Sequence, residues 1–306
     1  MNSKIVFFGT PDFATESLKS LVDRGYNVVA IVTTPDKATG RHQSKVVPSS
    51  VKSYSKDHLR IPIFQPTNLS DPEFIGELRN LEADIFVVVA FRLLPESVWK
   101  LPRLGTFNLH ASLLPKYRGA APINWAIIRG ETVTGLTTFM IDNNVDTGMI
   151  LDQVQVDIDP AECYGDLYSR LKVIGAELVC KTVLGLIENR LVPTRQEGKS
   201  CSAPKISRPV CELSPDLTAD NAYNFIRGLS PSPCAWTNFY LGDEKVSVKI
   251  CSTKKTKIKE DGKLYLEFSD GLLEITELQV PGKKRMSASD FLRGERRTIT
   301  WVNFET

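Results

Sequence analysis

The chain of 306 residues is short of every feature that would tie it to one charged or oxidising environment. Its 38 Lys and Arg stand against 36 Asp and Glu, a formal net charge of +2. That balance excludes a bulk pull toward nucleic acid and leaves any RNA contact to local patches. There are 3 His and 6 Cys, the cysteines scattered at 163, 180, 201, 211, 234 and 251 without a Cys-x-x-Cys pair. No zinc pattern is completed, so no metal is expected, and reduced thiols in a cytoplasmic protein are. Apolar runs such as 85–91 are far too short to span a bilayer, and the first residues lack the apolar region of a secretory signal. No repeat, low-complexity tract or heptad stands out, which leaves a monomer without membrane attachment as the default. Gly9-Thr10-Pro11-Asp12 is not Gly-x-Gly-x-x-Gly, so a dinucleotide site is unsupported. Gly9 is read equally well as a tight turn or as a ligand contact.

What is present is ordinary globular material, 42% hydrophobic and 24% charged, in a length that suits two domains. Residues 4–9, 13–23 and 27–33 read as strand, helix and strand, the usual opening of a parallel sheet. A helix at 72–81 precedes a buried strand at 85–90, and 105–110 is a further strand. A helix is expected over 122–129, strands at 135–141 and 149–156, and a long helix over 164–190. The texture turns polar and proline-bearing at 196–209, a linker between a domain of 1–195 and one of 210–306. After a helix at 219–229, short strands at 235–241, 246–251, 263–268, 271–279 and 298–302 indicate a small barrel or a sandwich.

Chemistry concentrates in Phe107-Asn108-Leu109-His110 and in the loop Asp142-Asn143-Asn144-Val145-Asp146-Thr147-Gly148. In a strand, residues two apart face the same way, so Asn108 and His110 share one face while Phe107 and Leu109 pack the other. An amide and an imidazole side by side can donate to the oxygen of a carbonyl under attack. Asp146 can orient or charge the imidazole and help remove a proton. The set suits transfer of an acyl-type group to an amine, because the amine is itself the nucleophile. A lone Asn-x-His on a strand is more often structural than catalytic.

The surrounding strings resemble the folate-dependent formyltransferases. Their Asn-x-His, Ser-Leu-Leu-Pro and Asp-x-Gly elements stand here as Asn108/His110, Ser112-Leu113-Leu114-Pro115 and Asp146/Gly148. Phe8-Gly9-Thr10-Pro11-Asp12-Phe13-Ala14, Lys116-Tyr117-Arg118-Gly119-Ala120-Ala121-Pro122-Ile123 and Ser202-Ala203-Pro204-Lys205-Ile206 accompany them. The resemblance implies an α/β fold, with a Rossmann-like, mostly parallel formyltransferase domain followed by a C-terminal OB-like β-barrel domain. It implies 10-formyltetrahydrofolate as donor, and Asn108, His110 and Asp146 as catalytic residues. The folate pocket would be formed by Ser112, Leu113, Leu114 and Pro115 with Phe91, Leu93, Leu94 and Asp142. Arg92 stands in that stretch where the family often has another residue, and it either reshapes the pocket or meets the folate tail. The implied acceptor is the α-amino group of methionyl initiator tRNA, the alternative being a small amine such as glycinamide ribonucleotide or an aminosugar nucleotide. Lys37, Arg41 and Lys45, in a polar segment after the second strand, would contact the tRNA. Cations at 249–263 and 283–297 would add a weaker, backbone-tracking surface.

Overall fold

A computed structural model of the chain describes residues 3–39 and 45–301. Those residues divide between two compact units. The first holds Met1–Gly119, Gly135–Val156 and Tyr168–Ser202, and the second holds Ala120–Thr134, Asp157–Leu167 and Ala203–Thr306.

The first unit opens with β1 (Lys4–Gly9), α1 (Asp12–Asp23) and β2 (Asn27–Val32). Next come β3 (Lys37–Thr39), β4 (Lys45–Val47), α2 (Ser50–His58), β5 (Ile63–Phe64) and α3 (Pro72–Asn80). After β6 (Ile85–Val89), α4 (Glu96–Trp99) and β7 (Thr106–His110) comes α5 (Pro122–Ile128), which belongs to the second unit, and then β8 (Val133–Met140), β9 (Ile150–Asp157) and α6 (Tyr164–Ile187). Seven strands form one sheet in the order β5-β2-β1-β6-β7-β8-β9. β5, β2, β1, β6 and β7 are parallel, and β8 runs antiparallel to β7. β6 is Ile-Phe-Val-Val-Val with every residue buried, as a parallel strand covered on both faces requires. One face packs Val6, Phe8, Ala30, Val32 and Phe86 against Phe74 and Leu78 of α3. That helix starts where Asp71 accepts from the Glu73 N–H and Pro72 supplies a pre-set first turn.

Two segments differ from the sequence reading. The stretch read as a polar loop contains the ribbon of β3 and β4, paired Lys37↔Val47, Ala38↔Val46 and Thr39↔Lys45. Its β-branched residues fit a pleated ribbon, which a composition-based reading of the lysines passes over. The long helix ends at Ile187 rather than 190, since Asn189 turns into the left-handed region at φ 53°.

The second unit carries α7 (Ala219–Leu229), β10 (Ala235–Leu241), β11 (Glu244–Thr256), β12 (Leu264–Phe268), β13 (Gly271–Gln279), β14 (Met286–Ser287), α8 (Ala288–Gly294) and β15 (Ile299–Trp301). The order β12-β13-β11-β10-β15, with β14 on β13, makes one antiparallel, barrel-like sheet around a core of its own. Phe239, Ile250, Leu266, Leu273, Ile275 and Leu278 fill that core with Ala222, Ile226 and Leu229 of α7. The last expected strand is seen as β15, and its residue 302 lies outside the described residues. All six cysteines are free, and the thiols of Cys234 and Cys251 meet at 2.8 Å. Among the described residues no helix is long and apolar enough to cross a membrane. Nor does any group of three or more His, Cys, Asp or Glu there have a metal-holding arrangement.

Candidate active site

β7 pairs with β8 so that Asn108 faces Phe139 and His110 faces Thr137 across the ladder. Phe107 and Leu109 point the opposite way and are buried, as the alternation demands. His110 is 6% exposed, and its ring meets Phe139 edge-on at 6.4 Å between centroids. Its Nε2 lies 2.8 Å from the carbonyl oxygen of Tyr117. A carbonyl only accepts, so Nε2 carries a hydrogen and Nδ1 is the atom left to gain or lose a proton.

Nδ1 faces the Oδ2 atom of Asp146 at 3.7 Å, the two side chains being 6% and 12% exposed. At that distance the carboxylate acts through charge rather than through a hydrogen bond. The same oxygen accepts from the backbone N–H of Gly119 at 2.8 Å. Both partners of the ring thus come from strained backbone, Tyr117 at φ 61° and Asp146 at φ 55°. Each conformation is held by residues distant in sequence. The Tyr117 N–H meets Cys201 Sγ at 3.2 Å, and the Arg118 N–H donates to the Cys201 carbonyl at 2.9 Å. Gln196 donates through Nε2 to the carbonyls of Asp146 and Gly148, both at 2.9 Å, and accepts from the Arg118 guanidinium. Gly148 is required by closeness: a Cβ there would sit 1.6 Å from the Met140 carbonyl oxygen.

Asn108 is half-buried on the same strand face, and its Oδ1 is buried with no hydrogen-bond partner. A buried acceptor without a donor is costly unless something outside the protein donates to it, which fits a site for a ligand that brings an N–H, such as an amine. Ser112 turns its hydroxyl into its own turn, donating to the Lys116 carbonyl at 2.6 Å. Thr137 Oγ1 donates to the Ser112 carbonyl and accepts from the Leu114 N–H, while Gln153 Nε2 reaches the Leu114 carbonyl. The Leu114-Pro115 bond is cis, Leu114 is buried, and Leu113 and Pro115 are half-buried.

The other expected pocket residues are more dispersed in environment. Phe91 and Leu94 pack inward, Phe91 edge-on to Phe8 at 5.8 Å, while Leu93 is 66% exposed. This segment leaves β6 beside the end of β7, since Val89 pairs with Leu109. Arg92 donates through its two terminal nitrogens to the carbonyls of Pro66 and Thr67 at 2.6 and 3.1 Å, while its Nε is buried without a partner. Asp142 caps its own loop, accepting from the Asn144 N–H and the Thr147 hydroxyl. Lys37 is exposed on β3, Lys45 begins β4, and Arg41 lies outside the described residues.

The sequence reading did not find the roles of the Tyr117 carbonyl, the Gly119 N–H or Gln196. The first two are backbone atoms, which no side-chain pattern announces. Gln196 fell in a stretch read as linker and touches residues 78 and 50 positions earlier, Arg118 and Asp146.

Residues 3–183 match the family Formyl transferase, and residues 205–296 match Formyl transferase, C-terminal domain. The methionyl-tRNA formyltransferase of Parabacteroides distasonis is 46% identical, with 98% of each chain covered. That of Phocaeicola vulgatus is 47% identical, with 96% of each covered. Among solved structures, the N-formyltransferase from Helicobacter canadensis in complex with folinic acid and dTDP-3-aminofucose superposes with a TM-score of 0.67 at 21% identity, covering 89% of this chain and 98% of that one. HypX from Aquifex aeolicus in complex with tetrahydrofolic acid gives 0.65 at 16%, covering 95% of this chain and 47% of HypX.

Proposed function

We infer the reaction from what the chain is: it belongs to the formyl transferase family. It formylates the α-amino group of methionine on initiator tRNA, the activity named for relatives that match it over nearly their whole length. The donor we assign is 10-formyltetrahydrofolate, which supplies a formyl group activated on nitrogen. Ser112, Leu113, Leu114 and Pro115, with Phe91, Leu93, Leu94 and Asp142, are the residues we assign to holding it.

The observation that carries the chemistry is the His110–Asp146 pair at 3.7 Å beside an amide that nothing in the protein completes. As the acceptor amine attacks the formyl carbon, charge gathers on the formyl oxygen. The Asn108 amide and the His110 ring are the donors that meet it. Asp146 supplies the counter-charge to the ring, whose protonated Nδ1 is the donor because Nε2–H is held by the Tyr117 carbonyl, and the Asp146 carboxylate assists removal of the proton the amine loses. Collapse breaks the bond between the formyl carbon and the donor nitrogen, which takes up a proton and leaves as tetrahydrofolate. Lys37, Arg41 and Lys45 we assign to phosphates of the tRNA, with residues 210–306 as a second RNA surface. We place the reaction in the cytoplasm and assign it to a monomer.

The test is formyl transfer with methionyl initiator tRNA, free methionine and glycinamide ribonucleotide as parallel acceptors. Formylated methionyl-tRNA as the sole product is expected. Product from a small amine alone would sink the tRNA assignment and spare the chemistry.

A further inference from the structure

We propose that a cleft on the C-terminal unit holds one unstacked ribonucleotide of the RNA substrate, its base against Trp236 and its phosphates against Arg208, Lys249, Lys283 and Lys284. The proposal rests on the tRNA reading above and adds a place and a mode of contact to it.

The cleft has a volume of about 440 Å³ and lies between β10, β11, the end of β13 and the segment before α7. That is the size of a site for one small ligand, enough for a single base and its sugar. Arg208, Trp236, Lys249 and Gln279 line it, and no Asp or Glu does. Register explains why these types meet. Trp236 pairs with Lys249 across β10 and β11, and Lys249 pairs with Gln279 across β11 and β13. Directly opposed residues share a face with their Cβ atoms about 5 Å apart. Three adjacent strands therefore present an aromatic ring, a cation and an amide in one row. The indole N–H of Trp236 is taken by the Arg208 carbonyl at 2.9 Å and the Arg208 guanidinium lies over one ring face at 5.9 Å from the centroid, so the ring is fixed and has its other face to offer rather than a donor. Gln279 spends one N–H on the Lys283 carbonyl at 2.9 Å, leaving the other N–H and Oε1 to pair with a base.

Charge points the same way. Several basic side chains of this unit are neutralised where they stand, among them Arg285 by Glu277, Lys255 by Asp220, Lys259 by Glu267 and Arg293 by Asp290. Arg208, Lys249, Lys283 and Lys284 have no carboxylate at ion-pair distance among the described residues. Arg208 and Lys249 line the cleft, and the two lysines directly follow its lip at Pro281-Gly282. An aromatic platform flanked by unpaired cations is the arrangement by which proteins hold single-stranded nucleic acid.

The experiment uses the full chain. Binding of methionyl initiator tRNA is measured over a salt series for wild type, Trp236→Ala, Trp236→Phe, Lys249→Ala and the double variant Lys283→Ala/Lys284→Ala. Formylation kinetics are run in parallel. Removing a cation that neutralises one phosphate should flatten the log–log salt dependence by roughly 0.7–0.9. Trp236→Ala should weaken binding about 5- to 100-fold, with most of it restored by Trp236→Phe. The weakening should appear chiefly in KM for tRNA. Lys100→Ala, which removes a surface partner of Glu96 in the other unit, should match wild type. Unchanged affinity and salt slope in Lys249→Ala, together with an unchanged slope in the double lysine variant, would overturn the proposal even if Trp236→Ala misfolds. Wild type that binds RNA through these residues but formylates only a small amine would keep the cleft and overturn the tRNA reading instead.

Discussion

Charge is handled in opposite ways at the end of β7 and on the surface of the C-terminal sheet. Around His110 there is one close ion pair, 6% and 12% exposed, and backbone groups from Tyr117 and Gly119 fix both members. On the C-terminal sheet, cations are numerous and solvated, and several already have a carboxylate beside them. Burial makes the placement of His110 against Asp146 decisive. Screening makes each exposed pair weak, so only cations left unpaired can act on a partner. One region exerts its effect through position, and the other through uncompensated charge.

The largest effects should follow from removing the buried charges. His110→Ala should lower kcat roughly 10²- to 10³-fold, the usual loss of an oxyanion donor. Asp146→Asn should cost a similar factor, roughly 10²-fold or more, through proton transfer. Both should leave tRNA affinity near wild type. Single-turnover rates close to wild type in both variants would end the assignment of chemistry to this pair.

Next come changes that leave the pair in the sequence and disturb its support. Gln196→Ala removes the two bonds to the Asp146 and Gly148 carbonyls. At about 1 kcal/mol each, that loosening corresponds to roughly 10- to 30-fold in kcat if it falls wholly on placement. Gly148→Ala forces a Cβ to within 1.6 Å of the Met140 oxygen. Overpacking of this kind costs about 1–3 kcal/mol, to be read as a lower melting midpoint together with slower turnover. Wild-type turnover in Gln196→Ala would mean that Asp146 holds its left-handed conformation without help, and the contrast of pinned against solvated charge would weaken.

The parts of this architecture that were legible in sequence are those set by periodicity. The all-buried β6, the alternation of β7 and the strong amphipathic spacing of α7 could each be read from a window of a few residues. β11 was read as 246–251 because apolar alternation stops there, yet the strand runs Glu244–Thr256. Its lysine-bearing end is held by pairing with β13, after register shifts near Ser252 that no local pattern encodes. In the site, Asn108, His110 and Asp146 were visible as residue types in a motif. What seats them was not, because Cys201 and Gln196 act across more than 45 positions and largely through backbone atoms. The row Trp236–Lys249–Gln279 was hidden for the same reason: it exists only once three strands are in register.

The smallest effect tests the solvated side of the comparison. The Arg297 guanidinium, together with its backbone N–H, holds the Glu295 carboxyl down to about 2 from an ordinary 4.5. Because the folded-state value is the lower one, the stabilisation is complete above pH 4.5 and fades as the pH falls toward 2. Arg297 is 47% exposed and Glu295 13%, and water reaching the guanidinium screens the pair, so Glu295→Gln should lower the melting midpoint at neutral pH by about 1 °C or less. The gap from wild type should narrow between about pH 4.5 and pH 3, and it should narrow at neutral pH in about 1 M salt, where the Debye length is about 3 Å. A gap of many degrees that survives high salt would show a surface pair acting through position, as the buried pair does. The division between the two regions would then have to be drawn by hydrogen-bond geometry rather than by burial.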